Sequence, residues 1–195
     1  IAYKKSEWSL AKLNKFYINS DPDTQAKCDT GSSGNYYRGA LCGTFIHKKT
    51  GTKLFFMSTH GCLNKEPNNT YAYLYPEQEA RFNPDGLPSF FVGDLNARPD
   101  WDSSVLFRTY WNDTYLTIDE TLRQGCDDTF NGWDSPEGRA DRRIDFVYYK
   151  GAGVTPTLYK CDNTLYDGKY PSDHWPVYAD FTIEPASAST EVPAE

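Results

Sequence analysis

No run of apolar residues in this sequence reaches the roughly 20 that a membrane-spanning helix needs. The opening "IAYKKSEWSL" has no hydrophobic stretch of the signal-peptide kind. Basic residues are in short supply too, with 20 Lys and Arg against 27 Asp and Glu and a net charge of −7. A chain without a general basic field is not a high-affinity nucleic-acid coat or packaging protein. An enzyme that grips phosphate locally, through a cation and one or two arginines, is still compatible with that charge. The five cysteines (Cys28, Cys42, Cys62, Cys126 and Cys161) form no CxxC pair and none lies beside a His at zinc spacing, which argues against structural zinc. No Ser or Cys stands in a nucleophile motif, and there is no glycine-rich phosphate loop.

What is abundant points to sheet. The chain has 15 Tyr, is 16% aromatic and 38% apolar, and contains a single Met. Its 195 residues suffice for one domain with a sizeable core, and no internal repeat divides them. The dispersed cysteines suit one or two disulfides in an oxidising compartment, with one thiol left over. The sequons "NNT" at Asn68 and "NDT" at Asn112 fall in polar, loop-like stretches and point the same way. The expected localisation is therefore extracellular or lumenal, with a cytoplasmic protein as the alternative.

Along the chain, "IAYKK" and "WSLAKLNKFYI" read as two strands, and "KCDTGSSGN" as a loop. "YYRGALCGTFIHKKTGTKLFFMSTH" reads as a hairpin turning at "KKTGTK", with His47 near the turn and no role assigned to it. A proline-broken polar segment with a short helix at "PEQEARF" leads into the compact buried strand "SFFVGDLNARPD". "WDSSVLFRTYW" predicts a helix starting near Asp102 or Ser103, and "YLTIDETLRQG" a second element ending at Gly125. "RRIDFVYYK" and "PVYADFTIE" close the domain as strands, and "PASASTEVPAE", residues 185–195, is expected to be disordered.

Four apolar runs end in polar tips. "LFFMSTH" delivers His60, "FFVGDLN" delivers Asp94 and Asn96, "RRIDFVYY" carries Asp145, and "SDHWPV" carries Asp173 and His174. Taken singly, each has an ordinary reading: a structural His, an Asx turn, a strand with a surface ion pair, a loop with an acid-stabilised imidazole. Together they supply two imidazoles, three carboxylates exclusive of any nucleophile, and one carboxamide. That kit suits metal-assisted hydrolysis with water as the nucleophile.

In this order, "STH", "GDLNARPD", "RIDF" and "YPSDHWPV" resemble the endonuclease/exonuclease/phosphatase superfamily, the group of deoxyribonuclease I, exonuclease III and the deadenylases. The resemblance spans roughly residues 1 to 183. It implies an α/β fold, a four-layer α/β/β/α sandwich of the deoxyribonuclease I type, over residues 1–184. It also implies Asp94 and Asn96 at the scissile phosphate, with Asp94 orienting or deprotonating water, and His174 at the phosphate with Asp145 fixing its tautomer. By the same resemblance His60 is the second catalytic histidine, Arg38 contacts substrate phosphate, and Asp173 and Asp94 ligate a divalent cation, Mg2+ or else Mn2+ or Ca2+. The implied activity is nuclease-like hydrolysis of a phosphodiester, with nucleic acid as the expected substrate. The alternatives are an inositol-phosphate phosphatase or sphingomyelinase, and a non-catalytic relative.

Two family features have no counterpart. No strand ending in Asn or in Gln-Glu precedes "IAYKK", and Glu7, Glu66, Glu77 and Glu79 do not follow an apolar strand in the required place. The expectation is an N-terminally truncated domain, completed by an upstream segment or a second chain, because half a sandwich would expose sheet edges and an apolar face. Alone, it is expected to be weakly active or inactive.

Overall fold

The computed structural model describes residues 1–28, 36–133 and 142–184. The expected disordered tail and most of the expected loop at 27–35 lie outside the described residues. Strands β1 (Trp8–Tyr17), β2 (Gly39–His47) and β3 (Lys53–His60) form an antiparallel meander. Helices α1 (Lys65–Tyr71) and α2 (Leu74–Phe82) then carry the chain to β4 (Ser89–Asp94), which lies parallel to β3. A parallel neighbour requires such a crossover, since a tight turn cannot reverse the chain twice. Helix α3 (Asp102–Tyr110), the two-residue β5 (Asn112–Asp113) and α4 (Thr114–Thr117) follow. Then come β6 (Arg123–Gly125), β7 (Asp145–Lys150), β8 (Val154–Cys161) and β9 (Val177–Ile183). The large sheet has the order β1-β2-β3-β4-β7-β5, and a second sheet the order β6-β8-β9.

The two-residue period of a strand explains how one sheet is covered on both sides. In "SFFVGD" the neighbours Phe90 and Phe91 face opposite ways. Phe91 is completely buried on the helix side, against the rings of Tyr75, Phe107, Trp111 and Tyr148. Phe90 meets Phe181 of β9, in the seam between the sheets, at a ring separation of 4.9 Å. Truncating Phe91 to Ala would cost about 3–5 kcal/mol.

The layering is thus helix, large sheet, small sheet. In β9 the residues Val177, Ala179, Phe181 and Ile183 are half-buried while Tyr178, Asp180 and Thr182 are exposed. Among the described residues β9 hydrogen-bonds to β8 alone, so its other edge is open. Beside it runs an apolar groove that Phe56, Val92, Val147, Val177 and Ala179 help to line.

The sequence expectations need several corrections. Residues 1–4 are not a strand, and the chain makes a turn before β1. Residues Ile1, Ala2, Tyr3 and Lys4 instead line a second pocket with Phe45 and Phe90, where the Tyr3 ring packs edge-on to Phe45. The proline-broken segment holds two helices instead of one, because α1 forms across "KEPNNTY" with its Pro in the first turn, where the missing N–H is tolerated. Asn68 is therefore a buried helix residue and not a loop sequon, whereas Asn112 is exposed in β5. "YLTIDETLRQG" divides into α4, a short 3-10 turn at Glu120–Leu122 and β6. The single disulfide among the described residues joins Cys28 to Cys62, just past β3.

Candidate active site

Register brings the polar tips together. His60, the last residue of β3, is the lateral partner of Asp94, the last residue of β4, and Asp94 is in turn the partner of Asp145, the first residue of β7. Three chemically active residues thus stand in one rank across three adjacent strands at one sheet edge. Gly93 makes that alignment possible. Its φ is 145°, and a Cβ there would stand 2.0 Å from the carbonyl oxygen of Thr59, so only glycine lets β3 and β4 close up beside Asp94.

The side chains connect as well. His60 Nε2 lies 3.1 Å from Asp94 Oδ2, and His174 Nε2 lies 3.8 Å from the same oxygen. His174 Nδ1 lies 2.7 Å from Asp145 Oδ2. One carboxylate oxygen is therefore flanked by two imidazoles, and the second imidazole is held from behind by another carboxylate. That contact fixes the ring so that Nε2 faces the centre. Hydrogen bonding to Asp145 raises the His174 pKa above the ordinary imidazole value against the opposing effect of partial burial, and the charges of Asp145, Asp94 and Asp173 add to the rise. The other Asp94 oxygen accepts the Asn96 backbone N–H at 2.8 Å. Asn96 has φ 49°, a left-handed conformation that Asn tolerates better than most residues, and its Nδ2 lies 3.4 Å from the Gly61 carbonyl.

Supporting residues invisible to motif reading lie one layer back. The Thr129 hydroxyl accepts the backbone N–H groups of Ile144 and Asp145 at 3.0 and 2.9 Å, and its carbonyl accepts Trp175 N–H at 2.7 Å. One threonine therefore ties the Asp145 strand to the His174 loop. The Phe130 ring stands 5.0 Å from the His174 ring. Buried Asn131 donates through Nδ2 to the Ser172 carbonyl, and the N–H groups of Asn131 and Gly132 donate to the Asp173 carbonyl. Asn68 donates to the carbonyls of Cys62 and Asn96, so it holds the loop after Asp94. A threonine or asparagine in these positions has no local signature; its importance comes from where the fold puts it.

Asp94, Asp145 and His174 each offer an atom within 4.8 Å of the others, which makes them the acidic group among the described residues with the spacing to hold a metal ion. Two carboxylates and one imidazole are oxygen-rich donors, and they fit a hard divalent cation better than a thiophilic one. Asp173 is outside that trio. Its carboxylate accepts the Ser172 hydroxyl at 3.2 Å, on the loop next to His174. Arg38 precedes β2, whose Gly39 carbonyl accepts the Thr59 hydroxyl at 3.0 Å, so it lies at the His60 end of the rank. Its guanidinium stacks on Tyr36 at 4.9 Å. His47 is elsewhere, in the β2–β3 turn with Thr50.

A rank of carboxylates and imidazoles at the edge of a layered α/β sandwich suits hydrolysis by an activated water. The sequence comparison makes this specific: the family model described as the endonuclease/exonuclease/phosphatase family matches residues 10–174, and the chain belongs to that family. No curated protein matches in sequence. Among solved structures, the chain is similar to the endonuclease/exonuclease/phosphatase of Bacteroides vulgatus, with 22% identity and a TM-score of 0.80 over 93% of this chain and 69% of that one. It is similar to the mannosyl-6-phosphatase of Bacteroides thetaiotaomicron VPI-5482, with 22% identity, a TM-score of 0.78 and the same coverages of 93% and 69%. It is also similar to D. rerio TDP2 complexed with a single-strand DNA product, with 20% identity and a TM-score of 0.63 over 91% of this chain and 70% of that one. These likenesses establish the deoxyribonuclease I-like fold.

Proposed function

We propose that this chain is the catalytic part of a divalent-metal-dependent phosphoesterase that cleaves a phosphodiester, with nucleic acid as the favoured substrate. The observation that carries the reading is the shared Asp94 oxygen, flanked by two imidazoles with Asp145 behind the second. Phosphodiester hydrolysis builds negative charge on the phosphoryl oxygens and on the leaving group. In this reading Asp94 orients and deprotonates the attacking water. Asn96 donates to a phosphoryl oxygen, and His174, held by Asp145, donates from Nε2 to the phosphate or to the leaving oxygen. His60 offers a further imidazole, and Arg38 a guanidinium, at the other end of the rank. Asp94 and Asp145, with Asp173 beside them, would hold Mg2+, Mn2+ or Ca2+, and a bound cation supplies neutralisation of the charge that develops on phosphate. The exposed rings of Tyr36 and Tyr37 beside Arg38, and of Trp133 on the loop that holds Asp173, favour a substrate with stackable bases. Likeness to a mannosyl-phosphatase supports a second reading, a sugar- or inositol-phosphate monoesterase.

The open edge of β9 and the groove beside it support completion of the small sheet by a further segment or second chain. We place the protein in an extracellular or lumenal compartment on the strength of the Cys28–Cys62 disulfide. The test is turnover of a generic aryl phosphodiester, single-stranded DNA and a sugar monophosphate, with Mg2+, Mn2+ or chelator. Slow, cation-dependent diester cleavage that Asp94→Asn abolishes without unfolding is the expected result. Turnover indifferent to Asp94→Asn would overturn the assignment of the site. Robust turnover by the chain alone would overturn only the need for a completing segment.

A further inference from the structure

We propose that Cys126 and Cys161 are the two ends of a second disulfide, one that staples the small sheet directly behind the candidate active site. Cys126 follows β6 and Cys161 ends β8, strands whose register sets Gly125 opposite Cys161. The Cys126 N–H donates to the Cys161 carbonyl at 3.4 Å. The two Sγ atoms stand 3.0 Å apart, and both thiols also lie close to the Asp128 carbonyl, at 3.1 and 3.0 Å. A disulfide bond is about 2.0 Å long, so the two sulfurs have to approach by only about 1 Å to bond. Cys42 is the contrast: it is buried in the main core, in a different cluster from Cys126 and Cys161, and its thiol meets the Asn14 carbonyl at 3.6 Å.

Other readings of the pair fit less well. A metal site needs further donors, and the metal-spaced group of described residues is the Asp94, Asp145 and His174 trio, which contains neither sulfur. The redox partner in trans is a disulfide donor, either a dithiol oxidoreductase in its oxidised form or glutathione disulfide. Half-exposed Cys126 attacks the donor disulfide and displaces one donor sulfur as a thiolate, giving a mixed disulfide. Cys161 then displaces the second donor sulfur and forms the intramolecular bond. Two electrons and two protons pass to the donor, which leaves as two thiols.

The bridge would pin the start of the segment that serves the site. Asp128, whose carbonyl meets both sulfurs from one side, is followed by Thr129, which holds the Asp145 strand and the His174 loop together. Cys126 and Cys161 also pack in the small-sheet core with Trp175, the neighbour of His174.

The inference draws on the extracellular or lumenal reading only for where its oxidant comes from, so its test supplies the oxidant directly. The purified chain is equilibrated in a glutathione/glutathione disulfide buffer, denatured without reductant in an alkylating agent, weighed intact and then peptide-mapped. One alkylated thiol, on Cys42, together with a linked peptide pair containing Cys126 and Cys161, is the expected result. Three alkylated thiols, or any bridge that involves Cys42, would overturn it. Cys126→Ser/Cys161→Ser should fold yet melt roughly 10 °C lower, given the 35-residue separation of the bridged positions. An unchanged melting temperature in that variant would also count against the bridge. Thiol counting does not depend on turnover, so this proposal and the phosphoesterase reading fail separately.

Discussion

Arg143, the arginine of the "RID" motif, is buried together with its partner Asp113, and this makes a sharp stability prediction. Its guanidinium meets Asp113 in a two-pronged contact, Nη1–Oδ1 at 3.0 Å and Nη2–Oδ2 at 2.8 Å. Only 4% and 1% of the two side chains are exposed. The Arg143 cation also lies 4.6 Å from the rings of both Tyr115 and Phe146. Removing one partner strands the other's charge in the interior, which costs about 3–5 kcal/mol. At roughly 2–4 °C per kcal/mol for a chain of this size, Arg143→Met or Asp113→Asn should melt about 6–20 °C lower. The double variant leaves no stranded charge, so its loss should fall well short of the sum of the single losses. Urea or thermal unfolding of the four proteins, arranged as a double-mutant cycle, makes the measurement. Single losses under about 1 kcal/mol, the range of an exposed ion pair, would refute the reasoning.

Three further outcomes follow from the same contacts. His174 has a folded pKa above its unfolded value, so the stabilisation from its pairing with Asp145 is complete below the unfolded value and is lost as pH rises through the folded one. The stability gap between the parent and Asp145→Asn, measured by thermal melts, should therefore be wider at about pH 5.5 than at about pH 9. Asn68→Ala removes the side-chain donor from the buried Cys62 carbonyl and the part-buried Asn96 carbonyl and should cost roughly 1–3 kcal/mol in urea unfolding, and mass analysis of the chain expressed through a glycosylating secretory host should find no glycan at Asn68. Gly93→Ala forces a Cβ against the Thr59 carbonyl in a backbone conformation worth about 1–3 kcal/mol of strain, so it should lower both the melting temperature and turnover.

The parts of the molecule legible in the sequence are those where one local rule suffices. The hairpin turning at "KKTGTK" forms β2 and β3, and the short apolar runs before Asp94 and after Asp145 form β4 and β7. Their polar tips meet because those strands are lateral neighbours. What stayed hidden depends on tertiary context. Strand β8 carries Pro156, which argues against a strand, and the fold accommodates it at a register shift between Pro156 and Leu158. The ion pair at "RID" looks like surface chemistry in sequence, since only the packing of Tyr115 and Phe146 around Arg143 sets its depth. Thr129 and Asn131 have no motif of their own, and their weight comes from reaching across to Asp145 and to the Ser172–His174 loop.

Paramagnetic NMR with Mn2+ tests most directly that His60, Asp94, Asp145 and His174 form a single cation- and phosphate-binding centre. With ring nitrogens and protons assigned, sub-stoichiometric Mn2+ should broaden His60 and His174 together and leave His47 sharp, and Asp94→Asn should abolish the effect in a chain that stays folded. Broadening confined to other surface carboxylates, or equal for all three histidines and unchanged by Asp94→Asn, would contradict the account.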